Sequence, residues 1–109
     1  MPRSELLDVV RRASVMIQRA TPLQLRFAEG ELTVLARTHE VGESRESMPV
    51  AFTGETLEIG FNAEFLRDGL ESMDGDDVRL KLISPLRPAV LQGESDDFLY
   101  LIMPIRLAG

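Results

Sequence analysis

Apolar residues near the start of the chain recur at spacings of three and four. Leu6, Val9, Val10, Ala13, Met16 and Ile17 therefore share one stripe of a helix predicted from about Ser4 to Arg19. Ser4 is placed to cap it, and Glu5 and Asp8 lie in the first turns, where negative charge suits the helix dipole. Pro22 bars continuation. The spacing then shortens to two. Leu23, Leu25 and Phe27 alternate with polar neighbours, Glu29-Gly30 turns the chain, and Leu32 and Val34 resume the alternation, which predicts a hairpin. The charged stretch from Arg37 to Glu46 reads as a loop. Met48, Val50 and Phe52 then predict a third strand, ended by Thr53-Gly54-Glu55.

A second series follows at once. Leu57, Ile59 and Phe61 form a short strand leading into Asn62, a good N-cap, and a helix carrying Phe65, Leu66, Leu70 and Met73. Asp74-Gly75 closes that helix, with the glycine in the C-terminal capping role. Val78, Leu80 and Leu82 predict the next strand, Ser84 to Pro88 a turn, Ala89 to Leu91 a short strand, Gly93 to Asp97 a polar turn, and Phe98 to Ile105 the last strand. The order is β-α-β-β-β, and the first half repeats it without the opening strand. Two such units predict an α+β fold in which two helices pack on a continuous, mostly antiparallel sheet. The first unit leaves one sheet edge unpaired and open to another chain.

The end of the chain is unusual. Leu99 to Gly109, LYLIMPIRLAG, is apolar where a free tail is ordinarily polar, so something covers it: the chain's own core or a partner. Alternation alone makes Leu99, Leu101, Met103 and Ile105 the inward residues of a terminal strand.

Composition narrows the function. With 109 residues, 44% hydrophobic and 28% charged, the chain fits a single globular domain spanning residues 1–109. No apolar run reaches membrane-spanning length and no signal peptide is evident, so a cytoplasmic protein is expected. The absence of cysteine excludes disulfides, thiolate metal sites and cysteine nucleophiles, and His39 is the lone histidine, set in a charged stretch. Neither a cofactor nor a metal is expected. A net charge of −6 argues against a grip on nucleic acid through overall basicity, though Arg11, Arg12 and Arg19 lie off the first helix's apolar stripe and Arg67 is an exposed candidate on the second. The carboxylates from Asp74 to Asp77 support, as an alternative, a small metal-dependent hydrolase. They lack the later ligands of a calcium hand and read more simply as a helix-ending turn. A structural oligomer built through the open sheet edge is a further alternative.

Three segments carry a resemblance: LEIGFNAEFLRDGLESMDGDDVRLKL, then SPLRPAVL, then DDFLYLIMPIRL. Together they resemble the C-terminal third of the bacterial DNA polymerase III beta subunit family, the sliding clamps. Its most specific parts are Gly60-Phe61-Asn62, Pro85-Leu86-Arg87-Pro88 and Met103-Pro104-Ile105-Arg106-Leu107. The resemblance implies a non-catalytic processivity factor: head-to-tail dimers of three similar domains, forming a ring around duplex DNA. It also implies a hydrophobic cleft that receives short peptides, of the Gln-Leu-x-Leu-Phe type, from polymerase, clamp loader and repair proteins. Carried onto this chain, the cleft residues are Leu86, Pro88, Leu101, Met103, Pro104, Ile105, Arg106 and Leu107. Arg11, Arg12, Arg19 and Arg67 are implied to face DNA. Val15, Met16, Glu40, Glu43 and Glu46 are implied to meet the partner protomer.

Overall fold

The computed structural model describes residues 1–16, 22–38, 42–73, 75–84, 86–94 and 99–105. Expectations resting on Ile17, Arg19, His39, Glu40, Asp74, Pro85, Phe98, Arg106, Leu107 and the side chain of Met16 lie outside the described residues.

Helix α1 (Arg3–Met16) buries Leu6, Val9, Val10 and Ala13 of the predicted stripe, and Leu7, which the spacing does not pick out, beside them. It starts one residue early, so Ser4 lies inside the first turn and is not the N-cap. The Leu6 amide donates to the Pro2 carbonyl at 3.1 Å and the Arg3 amide to the Asp76 carbonyl at 2.7 Å. A distant carbonyl thus satisfies an orphan helix donor that a capping side chain would ordinarily serve. Helix α2 (Ala63–Ser72) is capped as read: Asn62 Oδ1 accepts from the amides of Glu64 at 2.9 Å and Phe65 at 3.2 Å. Its buried stripe is Ala63, Leu66, Gly69 and Leu70. Phe65 stands about a quarter turn off that stripe and is exposed, contrary to expectation.

Strands β1 (Leu23–Ala28), β2 (Glu31–Thr38), β3 (Gly42–Pro49) and β4 (Leu57–Phe61) form a sheet ordered β3-β2-β1-β4. Strands β5 (Arg79–Lys81), β6 (Ala89–Gln92) and β7 (Leu99–Ile102) form a second, ordered β5-β6-β7. All of these pairings are antiparallel. The expected continuous sheet is thus two sheets, bridged between β4 and the chain after β7 by the Ile105 amide, which donates to the Gly60 carbonyl at 2.7 Å. The β1-β2 hairpin turns at Glu29-Gly30, and Gly30 takes φ 76°, a left-handed conformation that glycine adopts without strain.

The charged stretch read as a loop is largely strand. Residues from Arg37 continue β2, Glu43 to Glu46 belong to β3, and Val50 and Phe52 fall beyond its end. Pairing with β2 decides this rather than apolar alternation, because β3 is an edge strand whose charged side chains stay at the surface. Local ties help: the Thr33 and Ser47 hydroxyls share a hydrogen bond of 3.1 Å across the pair.

Both helices and both sheets feed one core. Leu6 and Val10 of α1, Leu66 and Leu70 of α2, Leu25 and Ile59 of the first sheet, and Leu91 and Ile102 of the second all belong to it. Arg3 ties the two helices together at their ends. Its Nη1 donates to the Leu70 carbonyl at 2.9 Å and its Nε to the Gly75 carbonyl at 2.8 Å, so a cation serves the unsatisfied C-terminal carbonyls of α2. The helix C-cap is Met73, and Gly75 follows as an anchor for Arg3 rather than as the capping residue itself. Arg3→Ala should lower the unfolding free energy in urea by about 1.5–3 kcal/mol, the usual range for hydrogen bonds from a charged donor, with Arg3→Lys recovering part. A loss no larger than that of an ordinary surface substitution would contradict this role.

Candidate functional site

The terminal strand is positioned by what it buries. In β7, Tyr100 and Ile102 lie opposite Leu91 and Ala89 of β6, and Ala89, Leu91 and Ile102 are all fully buried. Gly69 makes room for the aromatic ring: a Cβ there would come within 2.7 Å of Tyr100 Cδ1. The absence of a side chain at that point of α2 lets helix and strand approach closely. Because successive side chains of a strand point to opposite faces, Leu99, Leu101 and Met103 are turned outwards. They are 61%, 64% and 63% exposed.

This corrects the reading from alternation. Leu99 is not core, and Leu101 and Met103 do not pack inward. Both faces of this segment are apolar in sequence, and the pairing with β6, not hydrophobicity, selects which one is buried. Leu101 stands opposite Val90, which in turn faces Lys81 of β5 across the sheet. Leu86 is 65% exposed, in a turn where its amide donates to Ser84 Oγ at 3.3 Å and the Arg87 amide to the Ser84 carbonyl at 3.3 Å. Pro88, Pro104 and Ile105 are half-buried. The outer side of the second sheet thus offers adaptable apolar side chains beside prolines of fixed shape, a surface suited to apolar peptide side chains. Sequence reasoning missed Ile83, which is 75% exposed, and the outward course of Leu99. The signal for Ile83 was present, since it follows Leu82 directly and breaks the alternation of β5.

The arginines on the helices are not bare. Arg12 grips Glu46 of β3 with both Nε, at 3.1 Å, and Nη2, at 2.8 Å from Oε1. That hydrogen bonding, aided by the carboxylate's charge, raises the Arg12 pKa above its ordinary value. Arg11 Nη2 lies 3.1 Å from Glu71 Oε1, and its Nη1 lies 4.0 Å from Asp8. Arg67 is half-buried rather than exposed, with Nη2 at 3.6 Å from Asp68. Val15 is 85% exposed at the end of α1. Glu43 and Glu46 stand on β3, Glu43 with Arg45 Nε at 3.8 Å and Glu46 held by Arg12.

No three His, Cys, Asp or Glu side chains converge among the described residues. Around Asp76 and Asp77 the backbone serves the fold: the Asp76 carbonyl accepts from the Arg3 amide, and Asp77 bridges Pro2. No described helix is long and apolar enough to cross a membrane.

Residues 1–106 match the family described as DNA polymerase III beta subunit, C-terminal domain. A beta sliding clamp from Streptomyces coelicolor is 33% identical over 110 residues, covering 94% of this chain and 29% of the relative. One from Pseudomonas putida is 35% identical over 107 residues, covering 96% of this chain and 29% of the relative. Among solved structures, the DnaN sliding clamp of Pseudomonas aeruginosa bound to griselimycin superposes with a TM-score of 0.92 at 29% identity, covering 98% of this chain and 30% of that one. The chain therefore spans less than a third of the length of these relatives. The same two-helix, antiparallel-sheet α+β architecture is found in these neighbours, and nothing in the comparisons supports a hydrolase.

The orientation of β7 is directly testable. Ile102→Ala should cost about 2–5 kcal/mol in denaturant unfolding, as for a core truncation, while Leu101→Gln should stay within about 0.5 kcal/mol. Comparable losses for the two would contradict the assigned faces.

Proposed function

The chain belongs to the family of C-terminal domains of the DNA polymerase III beta subunit, and on that premise we propose that it is a non-catalytic docking domain of a replication processivity clamp. In this reading residues 1–109 form one domain, the third of three, in a ring that encircles duplex DNA. Short apolar peptides of a polymerase, clamp loader or repair protein dock on Leu86, Pro88, Leu101, Met103, Pro104 and Ile105, with Arg106 and Leu107 completing the site. The observation that carries this reading is the outward face of the terminal strand, where Leu99, Leu101 and Met103 are each more than 60% exposed.

The energetics suit such a site. Each well-buried apolar side chain of a docking peptide contributes roughly 1.5–3 kcal/mol before the cost of ordering the peptide is subtracted. A few contacts of this kind hold a partner without locking it in place. Met103 can change shape to fit different side chains, and the prolines lose little entropy on binding. The griselimycin bound by the Pseudomonas aeruginosa relative is consistent with a ligand-accepting surface in the family.

Arg11, Arg12, Arg19 and Arg67 are proposed to face the duplex. The exposed ion pair of Arg11 with Glu71 is weak, so this arginine can exchange a carboxylate for a passing phosphate at small cost, while Arg12 would first have to release its two-nitrogen grip on Glu46. Contacts of this kind read no sequence and permit sliding. Val15 and Met16, with Glu40, Glu43 and Glu46, are proposed to meet the next protomer of the head-to-tail ring. A cytoplasmic location accords with this role.

A fluorescent peptide of the Gln-Leu-x-Leu-Phe type should bind saturably. Met103→Asp should weaken it at least tenfold, about 1.4 kcal/mol, while Val15→Asp should leave affinity unchanged. Equal affinity for the Met103→Asp variant and the unaltered protein would overturn the site.

A further inference from the structure

Charge is unevenly divided between the two sheets. In the first, cations and carboxylates answer each other: Arg26 lies 3.7 Å from Glu58, Arg45 lies 3.8 Å from Glu43, and Glu46 is held by Arg12. The second follows another rule. Residues 78–92 carry Arg79, Lys81 and Arg87 and no carboxylate, and residues 99–105 carry no charged side chain, in a chain whose net charge is −6. All three cations are exposed, and none has an ion-pair partner among the described residues.

Strand register puts two of these cations beside the apolar face of the terminal strand. Arg79 pairs with Gln92 and Gln92 with Leu99, while Lys81 pairs with Val90 and Val90 with Leu101. Residues directly opposite each other across a sheet point to the same side, so each row runs from an exposed cation on β5, over a half-buried residue of β6, to an exposed leucine on β7. The inner neighbours agree: Leu80, between the two cations in sequence, packs against the core and lies opposite buried Leu91. Two strand spacings of roughly 4.8 Å separate leucine from cation, about 10 Å in all, a distance that about three residues of extended peptide span. Arg87, in the turn between Leu86 and Pro88, extends the same sign to the other end of the face.

Resting on the docking role of the terminal strand, we propose that the outer face of the second sheet selects apolar peptides that carry an acidic flank, with apolar side chains on Leu99 and Leu101 and carboxylates, about three or four residues away, on Lys81 and Arg79. The peptide crosses the strands and lies on their outer side chains. Apolar contacts supply most of the affinity, because ion pairs open to solvent are individually weak. The cations supply choice and speed. An acidic flank is drawn to this face during encounter, and a basic flank is repelled by it. The choice of face is sharpened by the rest of the chain, whose net charge of −6 disfavours an acidic peptide elsewhere.

The test uses a fluorescent peptide Gln-Leu-Ala-Leu-Phe with blocked termini, and versions of it extended by Gly-Glu-Glu or Gly-Lys-Lys after the motif, or by the same residues in reverse order before it. Each is titrated against the protein. At low salt one acidic version should bind about three- to tenfold more tightly than the unextended peptide, and its lysine counterpart more weakly; both differences should shrink at about 1 M salt. The double variant Arg79→Glu, Lys81→Glu, at two exposed positions outside the core, should invert the order, so that a lysine version binds best. Equal binding of acidic and lysine versions by the unaltered protein, or an acidic preference that survives the double variant, would overturn the proposal and leave the docking role standing. An unextended peptide that does not bind would overturn both.

Discussion

A β-strand can bury only every second side chain, and in β7 that choice is made by Tyr100 and Ile102. Ile102 meets Ala89 and Tyr100 meets Leu91 within the sheet, and Tyr100 fits over the bare backbone of Gly69. A slip of one residue would expose Ile102 and drive Leu101 towards α2, reversing every side chain of the strand at once. The inner set fixes the strand, and Leu99, Leu101 and Met103 must then face outward. An outer sheet face is ordinarily polar, so apolar residues held there by the core on the other side stand out as an exposed apolar patch.

The frame behind this surface is cross-linked between its halves. The first residues of the chain dock on the second unit: Met1 pairs with Val78, the Arg3 amide reaches Asp76, and the Arg3 side chain serves the end of α2. In return β4, from the second unit, completes the first sheet beside β1. Each unit therefore supports the other, and α2, pinned at both ends by Asn62 and Arg3, is held where Gly69 receives Tyr100. The exposed ion pairs of Arg11 add little to this rigidity. They set the charge pattern of the helix face instead.

Sequence patterning carried most of the elements and little of the site. The hairpin at Glu29-Gly30, the Asn62 cap and the stripe of α1 were legible because each rests on local chemistry: a turn glycine, a side-chain acceptor, a helical period. β3 was not, because Gly42 to Ser47 contains no apolar alternation and pairs only because β2 lies beside it. The faces of β7 were misread from periodicity, since Leu99 and Leu101 are as apolar as Tyr100 and Ile102, and only cross-strand register separates them. The likeness to sliding clamps singled out Met103 and its neighbours as more than core, a distinction that hydrophobicity could not make.

The central claim is that the outward face of the terminal strand is a docking surface, and the most direct measurement is made on the complex itself. Intermolecular nuclear Overhauser contacts between a bound Gln-Leu-x-Leu-Phe peptide and the methyl groups of the protein would map the contact. The account predicts contacts from Leu86, Leu101 and Met103, and none from the buried methyl groups of Ile102 and Leu91. A bound peptide whose contacts fell on Leu80 and Leu82, or on the helices, with Leu101 and Met103 silent, would contradict it.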